Sequence, residues 1–276
     1  MFKPEDYFDL KNYSHKSLFQ GVEYVWEALP KIKSYIKDMI QPNIAALRKN
    51  GSLVCSTTVL YKGKVIDKGF TIEEGNVTKG KLKVFHDGQE LEGACVVYEG
   101  AVLFDNAIEL GEGSVVEPGA LIKGPTIIGK NTEVRQGAYV RGTCLIGNRC
   151  VVGHTTELKS TVMLNGAKAG HFAYLGDSIL GSEVNLGAGT KLANLKMTEN
   201  EIVLKTKEKS FPTGLRKFGA IMADHVQMGC NSVTSPGTVL GKGIFVYPNV
   251  TVLPGIYPAY SRIFYAKAIV NVELSE

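Results

Sequence analysis

The chain is expected to be mainly β, a parallel β-helix of hexapeptide repeats preceded by an extension of helix and β-hairpins. Three observations predict this. Bulky residues return at every sixth position through Tyr98, Phe104, Leu110, Val116, Ile122, Ile128, Val134, Val140, Ile146, Val152 and Leu158. Four places after most of these starts stands a small or β-branched residue, among them Ser114, Ala120, Thr126, Thr132, Ala138, Cys144, Cys150 and Thr156. The 31 glycines are spread from Gly21 to Gly255, as many tight corners require and a flexible linker does not. A period of six fits a coil of three short strands and three corners, about 18 residues per turn, with backbone hydrogen bonds running from coil to coil. The bulky residue faces inward and the small one fits the corner.

Ahead of the repeats, Leu18, Val22, Val25, Leu29, Ile32 and Ile36 recur at three- and four-residue spacings, which predicts a helix interrupted at Pro30. The segments LVCSTTVLYKGKVI and KLKVFHDGQELEGACVVYEG alternate around Lys-Gly and Asp-Gly corners and predict hairpins that lead into the first coil. The division is therefore an extension over 1–95 and a β-helix over 96–276.

The period breaks in GAKAGHFAYLGDSILGSEVNLGAG, Gly166 to Gly189. Stepping on from Leu158 reaches Leu164 and Gly170, then fails until Tyr174 and Leu180, so the register is expected to slip across Gly166–Tyr174, with His171 inside the slip. A bulged coil frees side chains from the regular alternation and is a common way to build a site on a repeat scaffold. Hexads resume at Leu180, Leu186 and Leu192, and again at Met222, Met228, Thr234, Leu240, Val246 and Val252, so about twenty hexads make six to seven coils. The polar, lysine-rich, aperiodic stretch 193–218 between these runs is expected to be a loop extruded from the prism.

The formal net charge of +4, without a basic stripe interleaved with aromatics, excludes a dedicated nucleic-acid binder. No run of 18 apolar residues and no apolar leader occur, so no membrane insertion is expected and a cytoplasmic setting is. The five cysteines have no CxxC spacing and are expected to be reduced and mostly buried. His154 and His171 lie almost one coil apart, but a third ligand is missing, since His225 follows the insertion and no HxxxxH pair exists; no metal is expected.

The segment VGHTTELKSTVMLNGAKAGHFAYLGDSILGSEVNLGAGT, residues 152–190, with ANLK and TGLRKFGAIMADHVQMGCNSVTSPGTVLGKG, resembles the acetyltransferase domain of the bifunctional N-acetylglucosamine-1-phosphate uridyltransferase/glucosamine-1-phosphate acetyltransferase family, in its archaeal-like branch. The resemblance implies a left-handed parallel β-helix, a homotrimer, and active sites between neighbouring prisms. It implies transfer of an acetyl group from acetyl-CoA to the 2-amine of a hexosamine 1-phosphate, a step of nucleotide-sugar biosynthesis for the cell envelope. Residues 1–95 hold no glycine-rich nucleotidyl loop and are too few for the uridyltransferase domain, so this sequence is not expected to make the nucleotide sugar alone and a separate nucleotidyltransferase is implied.

By this resemblance His171 is the general base, a task suited to an imidazole titrating near neutrality. Glu157 either orients His171 or forms a surface pair with a lysine. Arg141, Lys159, Tyr174 and Asn185 would hold the phosphate and sugar hydroxyls. Arg141 is preferred to Arg135 because it lies one coil before Lys159, where two stacked cations can grip one phosphate. Ala188, Asn194, Leu195, Cys230 and Arg262 would contact acetyl-CoA, and the coenzyme-loop lysine stays open among Lys196, Lys205 and Lys207. Two positions depart from the family, Leu195 where a tyrosine is usual and Pro248 where a small alanine is expected. Two other functions fit the same residues: acyl transfer to another amino sugar or sugar nucleotide, and a non-catalytic sugar-nucleotide sensor or scaffold.

Overall fold

A computed structural model describes residues 2–265 except 50, 199 and 207; Lys207 and the segment from 266 onward therefore lie outside the described residues. The chain forms a parallel β-helix of about nine turns with few helices. Each coil visits three faces in turn. The first, here the histidine face, holds Cys95–Val97, Val115–Val116, Glu133–Val134, Val151–His154, Lys168–His171, Asn185–Leu186, Gln227–Met228, Phe245–Val246 and Arg262–Ile263. The second, the tyrosine face, runs from Val102–Leu103 through Tyr139–Val140, Glu157–Lys159 and Tyr174–Gly176 to Thr251–Val252. The third, the covered face, runs from Ile108–Leu110 to Gly255–Tyr257. The coil count exceeds the six to seven expected because coils begin at Cys95 and continue past Val252 through Gly255–Tyr257 and Arg262–Ile263.

Inward positions form one apolar column per face, including Leu110, Val116, Ile122, Ile128, Val134, Val140, Ile146, Val152 and Leu158. At two places the hexad phase is corrected. In the first coil the inward residues are Val97 and Leu103, whereas Phe104 is half exposed and Tyr98 packs outward against the hairpins. After Leu158 the inward residues are Met163, Ala169, Leu175 and Leu180, not Leu164 and Tyr174. The register shows where the residue is lost. Tyr139 pairs with Glu157, 18 positions on, but Leu145 pairs with Val162, 17 positions on. The shortening therefore falls at the Lys159–Val162 corner, one side earlier than Gly166–Tyr174, and the following coil keeps the 17-residue step, with Tyr174 opposite Lys191.

The covered face explains the misphasing. Its strands are apolar on both sides: Ile127, Leu145, Val162, Ile179, Ile221 and Val239 point outward into a second core shared with Phe8, Leu18, Trp26, Ile32 and Ile36 of the extension. A strand buried on both faces has no period-two contrast to read. Helix Ala28–Met39 lays its buried Leu29, Ile32 and Ile36 on this face. Pro30 sits in the first turn, where its missing N–H is no loss, so the helix begins at Ala28 and runs through Pro30 instead of being interrupted there. Lys16–Phe19 and Val25–Glu27 are short 3-10 turns.

The hairpin Thr58–Tyr61/Lys64–Ile66 pairs antiparallel with Cys95–Val97 and closes the exposed edge of the first coil. The stretch 193–218, expected as an extruded loop, contains a hairpin, Val203–Lys205 with Ser210–Pro212, that folds back onto the extension. There Ile202 and Leu204 are buried, and the Phe211 ring meets Phe2, Tyr24 and Trp26. Of the five cysteines, Cys95, Cys144 and Cys150 are buried while Cys55 and Cys230 are exposed.

Candidate functional site

Outward residues of the tyrosine face stack in two columns. The register Tyr139↔Glu157↔Tyr174↔Lys191 defines one. Two residues further on, the same register places Arg141 beside Lys159, which in turn pairs with Gly176. Arg141 Nη1 donates to Glu157 Oε1 at 2.7 Å, and this bond holds the guanidinium pKa above its ordinary value. Lys159 Nζ stands 3.9 Å from Asp177 Oδ2. The same Asp177 oxygen accepts from Asn194 Nδ2, and Asn194 Oδ1 accepts from the Tyr174 hydroxyl at 3.3 Å. Burial first, then the Glu157 and Asp177 carboxylates, raise the Tyr174 pKa, so the phenol stays a donor. The absent Cβ of Gly176 is what makes room: an ideal Cβ there would lie 2.6 Å from the Tyr174 oxygen.

Arg135 belongs elsewhere. It lies on the histidine face, tied at 2.7 Å to Glu133. Glu157 meets neither of its two expected partners, since its carboxylate is taken by Arg141. Asp177 was missed by the sequence reasoning; it lies 18 positions after Lys159, but the 17-residue step puts it one corner position past the lysine.

The remaining predicted residues lie on the corner after the histidine face and on that face itself. His154 and His171 are paired in register. Coil-to-coil hydrogen bonds from Phe172 N to His154 O, Gly189 N to His171 O, Asn231 N to Ala188 O and Asn249 N to Cys230 O make one ladder of His154, His171, Ala188 and Cys230. His154 Nδ1 lies 3.0 Å from Gln136 O, whereas the exposed His171 ring has no hydrogen-bond partner among the described residues. The corner beside it is strained: Phe172 holds φ at 34°, a region unfavourable to a bulky side chain. Asn185 is exposed on the histidine face opposite Lys168. Arg262 is exposed at the far end of that face and lines a cavity with Phe245, Tyr247 and Pro248. Leu195 is exposed and bridges to Lys217.

The structure thus brings Arg141, Glu157, Lys159, Tyr174 and Asn194 together on one face. It sets His171, Asn185, Ala188, Cys230 and Arg262 along the neighbouring face and the corner between them. Among the described residues no group of three His, Cys, Asp or Glu side chains is placed to hold a metal ion, and no helix is long and apolar enough to cross a membrane.

A prism of hexapeptide coils with polar columns along two of its faces defines the class, a parallel β-helix protein. Residues 122–259, half of the chain, match the GMPPB C-terminal domain family, and the chain belongs to it. The resemblance read from residues 152–190 is borne out among curated relatives. The chain is 39% identical over 101 residues to the bifunctional sugar-1-phosphate nucleotidylyltransferase/acetyltransferase of Sulfurisphaera tokodaii, covering 37% of this chain and 25% of that protein. It is 34% identical over 101 residues to the bifunctional protein GlmU of Methanococcus vannielii, covering 37% and 24%. The chain thus spans about a quarter of the length of these relatives. Among solved structures, the acetyltransferase domain of PglB from Neisseria gonorrhoeae aligns at 12% identity with a TM-score of 0.30, over 59% of this chain and 50% of that one.

Proposed function

We propose that the chain is an acyltransferase that moves an acetyl group from acetyl-CoA to the 2-amine of a hexosamine phosphorylated at C1. The observation that carries this reading is the pair Arg141–Glu157 beside the chain Lys159–Asp177–Asn194–Tyr174 on one face, with His171 at its edge. Arg141 and Lys159 supply two stacked cations for one phosphate, and Tyr174 offers a hydroxyl kept protonated. His171 takes the proton that the amine gives up as it attacks. Asn185 lies on the adjoining face, so the full set meets only where the tyrosine face of one prism abuts the histidine face of another; a homotrimer supplies that cleft.

Acetyl-CoA supplies the acyl group as a thioester: as the C–N bond forms the C–S bond breaks, and the proton held by His171 passes to the leaving sulfur, which departs as the free thiol. Ala188 and Cys230 continue the His171 ladder, and the strip beside them is free of side chains at Gly170, where an added Cβ meets nothing within 4 Å. Arg262, next to Phe245 and Tyr247, suits the coenzyme's phosphates. A cytoplasmic setting and a separate nucleotidyltransferase go with this reaction.

One observation favours the second reading, a non-catalytic sugar-nucleotide-binding module: the His171 ring, in contact with that of Phe172, has no hydrogen-bond partner among the described residues. Thiol release from acetyl-CoA across a panel of amino-sugar 1-phosphates decides. Turnover on a hexosamine 1-phosphate supports acyl transfer; silence across the panel with binding intact selects the binding module.

A further inference from the structure

The column that holds Arg141 and Lys159 does not end with them. Continuing the registers Leu121↔Tyr139 and Tyr139↔Glu157 by two residues aligns Lys123, Arg141 and Lys159. The register Val102↔Leu121 puts Phe104 in the same column, one coil before Lys123. The three cations differ. Arg141 is neutralised by Glu157, and Lys159 faces Asp177. Lys123 has no carboxylate partner among the described residues; its ammonium lies 4.8 Å from the Phe104 ring centroid and 5.5 Å from that of Tyr139. The Arg141 guanidinium in turn lies 6.0 Å from the Tyr139 ring. Phe104 is 51% exposed and stands outside the inner core.

An ammonium held between two ring faces, one coil from a second cation, is a seat for an anionic group beyond the one that Arg141 and Lys159 grip. The exposed Phe104 ring beside it is a stacking platform for a planar heterocycle. With coils about 4.8 Å apart, the column from Lys159 to Phe104 runs about 14 Å, the reach of an extended ligand and more than a single phosphate uses.

We propose that the acceptor on this face is an amino sugar linked to a nucleoside diphosphate, with the sugar at Tyr174, one phosphate between Lys159 and Arg141, the other between Arg141 and Lys123, and the base on Phe104. The sugar half of this proposal rests on the acyl-transfer reading; the nucleotide half is measurable without turnover. If nucleotidyl transfer builds this acceptor, it precedes acyl transfer.

The test is calorimetric titration of the full chain, without acyl donor, using UDP, GDP, pyrophosphate and glucosamine 1-phosphate. At least one of the two nucleotides is expected to bind about tenfold or more tightly than glucosamine 1-phosphate. Lys123→Met is expected to weaken that nucleotide about tenfold, and Lys123→Arg to restore most of the loss. Phe104→Ala is expected to remove the advantage of the nucleotide over pyrophosphate. Thermal melts confirm that each variant is folded, and both altered side chains are outside the inner core. The proposal is overturned if neither nucleotide binds more tightly than glucosamine 1-phosphate, or if both Lys123→Met and Phe104→Ala leave nucleotide binding unchanged. Nucleotide binding with this mutational pattern but no acetyl transfer to any amino sugar upholds the nucleotide seat and removes the acyl-transfer reading. Acetyl transfer to glucosamine 1-phosphate that neither nucleotide inhibits does the reverse.

Discussion

Arg141 Nη1 donates to Glu157 Oε1 at 2.7 Å across adjacent coils, so the carboxylate that could have served the neighbouring histidine is instead committed to the cation proposed to hold the acceptor's phosphate. On the proposed function Glu157 acts as a positioning residue for Arg141. Glu157→Gln keeps the shape and removes the charge that aims the guanidinium fork. The expected outcome is a KM for the phosphorylated acceptor raised about three- to tenfold, with kcat changed less than about threefold. A kcat loss approaching that of a His171 variant, with KM unmoved, would instead assign Glu157 to the imidazole.

His171 carries the proposed chemistry and almost none of the packing, because its ring is exposed. His171→Ala is therefore expected to lower kcat at least about 10²-fold, while the melting temperature and the affinity for sugar phosphate stay near those of the parent chain. His154 is the control. It sits in register one coil earlier, with Nδ1 at 3.0 Å from Gln136 O. Steady-state kinetics on His154→Ala are expected to show a loss at least tenfold smaller than that of His171→Ala; equal losses would mean that the two imidazoles work as a unit.

How much of this was legible in the sequence follows from what each face buries. The hexads from Leu110 to Leu158 could be read because inward Val, Ile and Leu alternate there with outward polar residues on two of the three faces. Phase was lost at Leu164 because Val162, Met163 and Leu164 are all buried, Met163 in the prism and its two neighbours under the extension. Periodicity cannot choose among three apolar residues in a row when both sides of a strand are covered. The fate of residues 2–36 was hidden for the same reason, since their partner surface is formed by residues 127 to 239 and no local pattern names it. In the site, Arg141 beside Lys159 followed from the 18-residue coil alone. Asp177 did not, because its place depends on the residue dropped at the Lys159–Val162 corner. Lys123 stands one 18-residue coil before Arg141 and follows from the same period, whereas Phe104, 19 positions before Lys123, enters the column only through the observed register and its ring contact.

Cys144 and Cys150 line the inside of the prism, and burial pushes both thiols up from 9.0 to about 12. The folded chain therefore keeps these protons over a range in which the unfolded chain has released them. The contribution to stability is complete below about pH 9 and is lost as pH rises toward about 12. Melting temperatures taken from pH 8 to pH 10.5 are expected to fall, and to fall less steeply in the Cys144→Ala/Cys150→Ala double variant, whose value at pH 8 is lower through lost packing. Parallel curves for the two chains would show that other groups set the alkaline limb. A thiol reagent at pH 8 is expected to leave Cys95, Cys144 and Cys150 unmodified until the chain unfolds.

The glycines of the histidine face give a paired prediction, because two of them one coil apart meet opposite surroundings. An ideal Cβ at Gly153 would lie 1.8 Å from the Gly170 carbonyl oxygen and 2.5 Å from the Gly170 Cα, contacts with backbone that no rotamer change relieves. At Gly170 the same added atom meets nothing within 4 Å. Neither residue has a positive φ, so the difference is steric and not a matter of backbone conformation. Gly153→Ala must push the Val151–His154 and Lys168–His171 strands apart and break their ladder, including the His154–His171 pairing. It is expected to cost about 3 kcal/mol or more, a fall in melting temperature of roughly 5–10 °C for a chain of this size. Gly170→Ala is expected to leave the melting temperature within about 2 °C of the parent, since an exposed methyl adds neither clash nor cavity. Acetyl transfer then separates stability from site. Gly170→Ala places a methyl on the strip assigned to the acyl donor, so in a chain that melts like the parent its KM for acetyl-CoA is expected to rise severalfold while its KM for the acceptor does not. An unchanged KM for acetyl-CoA would move the donor off this strip.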